Sequence, residues 1–129
     1  MKIKTRFATT LAFTLACAAL FADAASAAEP YGTWVRPSTG TQVHFYDCGG
    51  KLCGKITGVK DASRKSEIGS LIVPGAKKTG DNKWEGDLID VSAGKTYSGV
   101  MTLEGPSSFN LKGCVAMVFC RGETWTKVK

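Results

Sequence analysis

The sequence predicts an all-β protein: one small antiparallel up-and-down β-barrel of about eight strands with two local disulfides. Three observations lead there. Short runs of alternating apolar and polar residues are separated by turn-forming clusters about every ten residues. After residue 27 no segment shows the 3.6-residue apolar period of an amphipathic helix. The 129 residues include fifteen glycines and are 43% hydrophobic, which suits one packed domain rich in tight turns. Closing the strands into a barrel removes the unpaired edges that an open sheet would expose.

The first 27 residues are set aside as an export signal. Lys2, Lys4 and Arg6 precede an apolar stretch from Phe7 to Ala22, and Ala25-Ser26-Ala27 forms a small-residue cleavage site. Cleavage is expected after Ala27, with Ala28 as the alternative. The apolar stretch is short of the roughly 20 residues that span a bilayer, so no stable membrane insertion is expected. Cys17 follows Thr14-Leu15-Ala16, a poor match to a lipid-attachment site, where Leu usually stands at the position of Thr14. The expected location is therefore the periplasm or the exterior. Residues 28–129 form a single domain.

Seven strands are expected at residues Tyr31–Arg36, Thr41–Cys48, Leu52–Val59, Trp84–Asp90, Lys95–Leu103, Ser108–Val115 and Arg121–Val128. A shorter one covers Leu71–Val73. Turns fall at Pro37-Ser38-Thr39-Gly40, Gly49-Gly50, Gly80-Asp81-Asn82, Ser92-Ala93-Gly94 and Gly105-Pro106-Ser107. The polar run from Lys60 to Ser70 has room for one helical turn.

Side-chain alternation along these strands sorts the residues into two faces. Trp34, Trp84, Tyr97, Met101, Phe109 and Trp125 fall on the inner face together with several glycines. Large rings beside glycines serve either as core packing or as the wall of a small pocket. The same parity puts Cys48 and Cys53 outside, on either side of the Gly49-Gly50 turn, and Cys114 and Cys120 outside on the last hairpin. Four cysteines in an exported chain imply disulfides, and this geometry pairs Cys48 with Cys53 and Cys114 with Cys120. The spacings are not those of a zinc or redox CxxC site, and no metal or other cofactor is expected.

Catalytic chemistry finds little purchase. His44 is the sole histidine and lies on the outer face, opposite Val43 and Phe45. Glu85 and Asp87 face solvent, and Asp90 is placed to cap the Ser92-Ala93-Gly94 turn. No catalytic residues are assigned. Export removes three bases and one acid, leaving fourteen bases against ten acids. The remaining basic residues are scattered, with Arg64-Lys65 and Lys77-Lys78 the closest runs. Nucleic-acid binding is not expected, although a slight attraction to anionic surfaces remains.

Several motifs in order carry a family resemblance. Gly32-Thr33-Trp34 and Arg36-Pro37 are followed by Tyr46-Asp47-Cys48-Gly49-Gly50 and Leu52-Cys53-Gly54-Lys55-Ile56. Then come Thr79 through Gly86, Gly94-Lys95-Thr96-Tyr97-Ser98-Gly99, Gly113-Cys114, Cys120-Arg121 and Thr124-Trp125-Thr126. The chain resembles the exported bacterial family catalogued as domain of unknown function 2147. The resemblance implies a lipocalin-like barrel, in which Trp34 plugs the floor and an arginine of the last strand packs across its indole. Arg121 is the matching arginine. Avidin-type barrels share the Gly-x-Trp opening, but the polar motifs that support biotin binding are missing here.

Two functions follow. In the first, the barrel is a non-enzymatic binder of a small apolar or amphipathic ligand, contacted by Trp34, Trp84, Tyr97, Met101, Phe109 and Trp125, with Arg36 or Arg121 as polar anchor. In the second, a solid barrel docks on an envelope or host protein through Val100, Val115–Phe119 and the basic loops. The apolar run Val115-Ala116-Met117-Val118-Phe119 is a buried hairpin tip, an exposed docking patch or a lid over the barrel mouth.

Overall fold

A computed structural model describes residues 28–129. The expected export signal, residues 1–27, and Cys17 within it lie outside the described residues. Eight strands make up the domain: β1 (Gly32–Val35), β2 (Gln42–Asp47), β3 (Leu52–Gly58), β4 (Leu71–Gly80), β5 (Lys83–Asp90), β6 (Lys95–Gly105), β7 (Ser108–Val115) and β8 (Phe119–Lys127). Each pairs antiparallel with its neighbour in sequence, and β8 returns to β1, closing the barrel. The polar connection after β3 carries a short 3-10 helix, Ala62–Glu67. Asp61 begins that helix by accepting a hydrogen bond from the Ser63 amide at 3.0 Å.

The expected strand at Leu71–Val73 proves to be the start of a ten-residue strand. Pro74-Gly75 reads as a strand breaker in sequence, since proline cannot donate to a ladder. Here the β3–β4 register shifts across this region, from Gly54 opposite Val73 to Leu52 opposite Ala76. The irregularity accommodates Pro74 and Gly75, and β4 continues to its hairpin with β5.

Inward parity builds the core. Trp34, Val43, Phe45, Val73, Ala76, Met101 and Phe109 are fully buried, and Trp84 and Trp125 nearly so. The aromatic rings pack at tilted or edge-to-face angles: Phe109 lies 5.3 Å from Trp34, 5.2 Å from Phe45 and 6.1 Å from Trp84 between centroids. Both disulfides are present as the strand parity predicts, Cys48–Cys53 and Cys114–Cys120. They lie on the outer side of the sheet, yet Cys53 and Cys114 are covered by their surroundings rather than open to water.

Candidate functional site

The up-and-down path gives the barrel two unlike ends. One end gathers the β2–β3, β4–β5 and β6–β7 turns together with residues 28–31 and 128–129. The other gathers the β1–β2 loop, the 3-10 helix, the β5–β6 turn and the β7–β8 hairpin.

The first end is closed. Trp34 fills it, with its Nε1–H donating to the Pro30 carbonyl at 2.8 Å, so the buried indole leaves no polar atom unpaired. The cation over its ring is Lys127, whose Nζ lies 5.7 Å from the centroid. This corrects the expectation for Arg121. Trp34 pairs in register with Lys127, whereas Arg121 sits six residues earlier on β8, opposite Gly113. At about 3.4 Å per residue that separation carries Arg121 to the opposite end.

The second end is open, and there the barrel holds a cavity of about 920 Å³. Its wall is apolar: Val43, Ile56, Ile72, Leu88 and Leu111 contribute, and Trp125 lies at the base. Beneath Trp125 the rings of Phe45, Phe109 and Trp34 fill the barrel, Phe45 meeting Trp125 edge to face at 6.2 Å. Half the barrel interior is thus solid and half accessible. Trp34, Trp84, Met101 and Phe109 belong to the solid half. Arg36, Tyr97, Arg121 and Trp125 line the cavity.

Charged groups ring the mouth. Arg36 of the β1–β2 loop forms an ion pair with Glu123 of β8, which also accepts from Ser38 Oγ at 2.8 Å. Arg64 holds Glu67 with two hydrogen bonds of 3.0 and 3.1 Å. Ser92 in the β5–β6 turn donates to the same carboxylate at 3.0 Å and accepts from Arg64. This network ties the 3-10 helix to a turn across the mouth. The Arg64 hydrogen bond holds the Glu67 carboxyl below the usual carboxylate range, with Ser92 adding to the effect, and Glu67 in turn raises Arg64. Arg121 extends from the same face as Trp125 and has no carboxylate partner among the described residues.

Ile56, Leu88 and Leu111 share the inward parity of Gly54, Trp84 and Phe109 along their strands, but parity does not tell depth and so does not mark a cavity wall. Arg64 and Glu67 were missed within a polar connection. Their i, i+3 spacing behind the Asp61-x-Ser63 cap was the available signal. His44 is remote from the cavity. It lies on the outer face, 3.4 Å from Thr33 Oγ1 and stacked on Tyr46. Asp90 accepts from the Ala93 amide at 3.1 Å and so caps its turn. Glu67 and Glu123 are both engaged by arginines, and the one cysteine of the lining, Cys120, is disulfide-bonded.

Comparison with known proteins places the barrel. Protein HP1028 from the human pathogen Helicobacter pylori, described as belonging to the lipocalin family, superposes with a TM-score of 0.64 at 14% sequence identity, covering 78% of this chain and 84% of its own. At that identity the likeness concerns the fold. Among curated proteins no sequence relative matches. The family described as "Uncharacterized protein conserved in bacteria (DUF2147)" matches residues 32–127, through all eight strands, and the chain belongs to that family.

Proposed function

We propose that this protein is an exported, non-enzymatic carrier that holds one small apolar or amphipathic ligand in the open half of its barrel. The cavity carries this reading. Its volume of about 920 Å³ falls in the range of small-molecule sites. Apolar walls over a tryptophan base, with a charged rim, would take a hydrocarbon body inside and leave a polar head at the mouth. Arg121 supplies a cation for an acidic head, and Tyr97 a phenol within the wall. Export is supported by the two disulfides, which persist in oxidising compartments, and by the leader-like residues 1–27.

Titration followed by tryptophan emission tests the reading, since Trp125 borders the cavity. A panel of fatty acids, retinoids and haem should contain ligands that shift or quench emission saturably. Leu88→Trp, which fills the cavity from its wall, should weaken binding at least about tenfold while the barrel still unfolds cooperatively. An emission spectrum indifferent to the whole panel, together with a ligand-free native mass for protein taken from its own host, would overturn the proposal.

A further inference from the structure

The hairpin joining β7 to β8 stands at the cavity mouth and exposes an apolar tip: Met117, Val118 and Phe119 are 77%, 74% and 76% exposed. Its backbone is unusual. Ala116 and Met117 both have positive φ, 53° and 60°, within a turn closed by the Val118 amide donating to the Val115 carbonyl at 3.2 Å. Such a turn normally takes asparagine and glycine, because a side chain at positive φ is strained.

The same chain shows the unstrained solution at its closed end. There the Cys48–Cys53 bridge spans a turn whose two positive-φ residues are Gly49 and Gly50. At the mouth a second local bridge, Cys114–Cys120, spans a turn built from Ala116 and Met117 instead. The two stapled turns differ in length, four residues between Asp47 and Leu52 against three between Val115 and Phe119, and the one at the mouth keeps apolar side chains at positive φ. Strain of this kind persists where surrounding structure enforces it and gathers at functional places. The Cys114–Cys120 bridge supplies the enforcement.

Charge completes the pattern. Arg36 and Arg64 are neutralised by acidic partners at the rim. Lys95, although opposite Asp90 in register, and Arg121 form no ion pair among the described residues, and they flank the hairpin, Lys95 sharing a surface cleft with Val115 and Ala116 while Arg121 lines the mouth beside Val118 and Phe119. A narrow apolar projection between two cations that form no ion pair matches a phosphate-bearing lipid surface. The apolar side chains would enter the acyl boundary and the cations would meet headgroup phosphates. A protein partner fits less well, because a convex tip of a few residues contributes little of the roughly 1,000 Å² that a stable interface requires.

We infer that the β7–β8 hairpin docks the open end of the barrel reversibly on an anionic bilayer, which would bring the cavity mouth against the lipid. The hairpin shares Val118, Phe119 and Arg121 with the cavity rim, so docking is read by vesicle binding and not by ligand titration. Protein purified from the envelope or medium of an exporting bacterium is sedimented with vesicles of phosphatidylglycerol and phosphatidylethanolamine. Wild type should co-sediment. The double variant Met117→Ser and Phe119→Ser should lose at least about tenfold in partitioning while keeping its melting temperature. Lys95→Gln and Arg121→Gln should each cost up to about fivefold on anionic vesicles and nothing on neutral ones. Leu88→Trp should dock like wild type, so failure of the cavity reading and failure of docking give different results. Equal partitioning of wild type and the serine variant would overturn the inference. So would a wild type that ignores vesicles and instead dimerises through the tip in sedimentation velocity.

Discussion

Arg36 and Glu123, 87 residues apart in sequence, form an ion pair across the seam where β1 meets β8. Backbone pairing along that seam is short, with register partners only at Trp34–Lys127 and Val35–Thr126. The ion pair sits just beyond the last of these on the cavity side, and Ser38 strengthens it. A side-chain latch thus extends the closure where the ladder stops.

Glu123→Gln should loosen this closure locally. Both partners are partly exposed, so the loss in global stability is expected to stay below about 1 kcal/mol. Amide hydrogen exchange should accelerate in β1 and at the end of β8 more than in β5 or β6. Uniform exchange across the barrel would show that the latch contributes nothing to the seam.

The stapled hairpin at the mouth yields an opposed pair of outcomes. Replacing Cys114 and Cys120 together by serine should cost about 2 kcal/mol, as a short loop closed by one bridge suggests. Peptide mapping should still find Cys48 joined to Cys53. Replacing Ala116 by Asn and Met117 by Gly should instead raise stability by about 1 kcal/mol by relieving the strained turn. The same replacement removes an apolar side chain from the tip, so the more stable variant should dock less well on vesicles. Chemical denaturation measures the first effect and sedimentation the second.

Gly54 marks a place where the core tolerates no added atom. A Cβ there would lie 2.8 Å from Cε1 of Phe45, a fully buried ring wedged against Phe109 and Trp125. Gly54→Ala should destabilise by about 1–3 kcal/mol, the usual cost of overpacking. Adding Phe45→Leu should recover part of the loss if the clash is with the ring. An unchanged denaturation midpoint in the single variant would show that Phe45 has room to move.

Glu67 should titrate below an ordinary glutamate, whose carboxyl in an unfolded chain has a pKa of about 4.3. The cause is its hydrogen bond to Arg64, with Ser92 second. A carboxyl with a depressed folded pKa stabilises the fold above its unfolded value. That contribution is lost as pH falls through the folded value. Acidification should therefore release the 3-10 helix from the β5–β6 turn in this window. Carboxyl NMR shifts followed against pH would report the midpoint, and Arg64→Gln should move it back upward. A wild-type midpoint at or above the ordinary value would contradict the assignment.

The strand pattern was legible because side-chain direction alternates whatever the tertiary context. That rule puts Trp34, Phe109 and Trp125 on one face and pairs the four cysteines. It failed where backbone irregularity intervened: Pro74-Gly75 hid most of β4, since a bulge is a property of two strands and not of either alone. It was also silent about depth. Inward residues at the closed end, such as Leu103, and inward residues at the mouth, such as Tyr97, share the same parity. Only the assembled register separates solid core from cavity wall. The family resemblance set Arg121 above Trp34, whereas the inner column of β8 reaches that indole at Lys127.

Because every strand pairing but one joins neighbours in sequence, the chain behaves as a ring cut at a single point. The cut lies at the closed end, where Thr33 donates to the Lys129 carbonyl at 2.7 Å and accepts from Val128 at 2.8 Å. Zipping can proceed hairpin by hairpin, with the β1–β8 junction as the one step that waits for distant segments to meet. Joining Ala28 to Lys129 through a short linker and opening the loop at Asp81-Asn82 would leave each strand beside its old neighbours, make the β1–β8 closure local and hand the waiting step to β4 and β5.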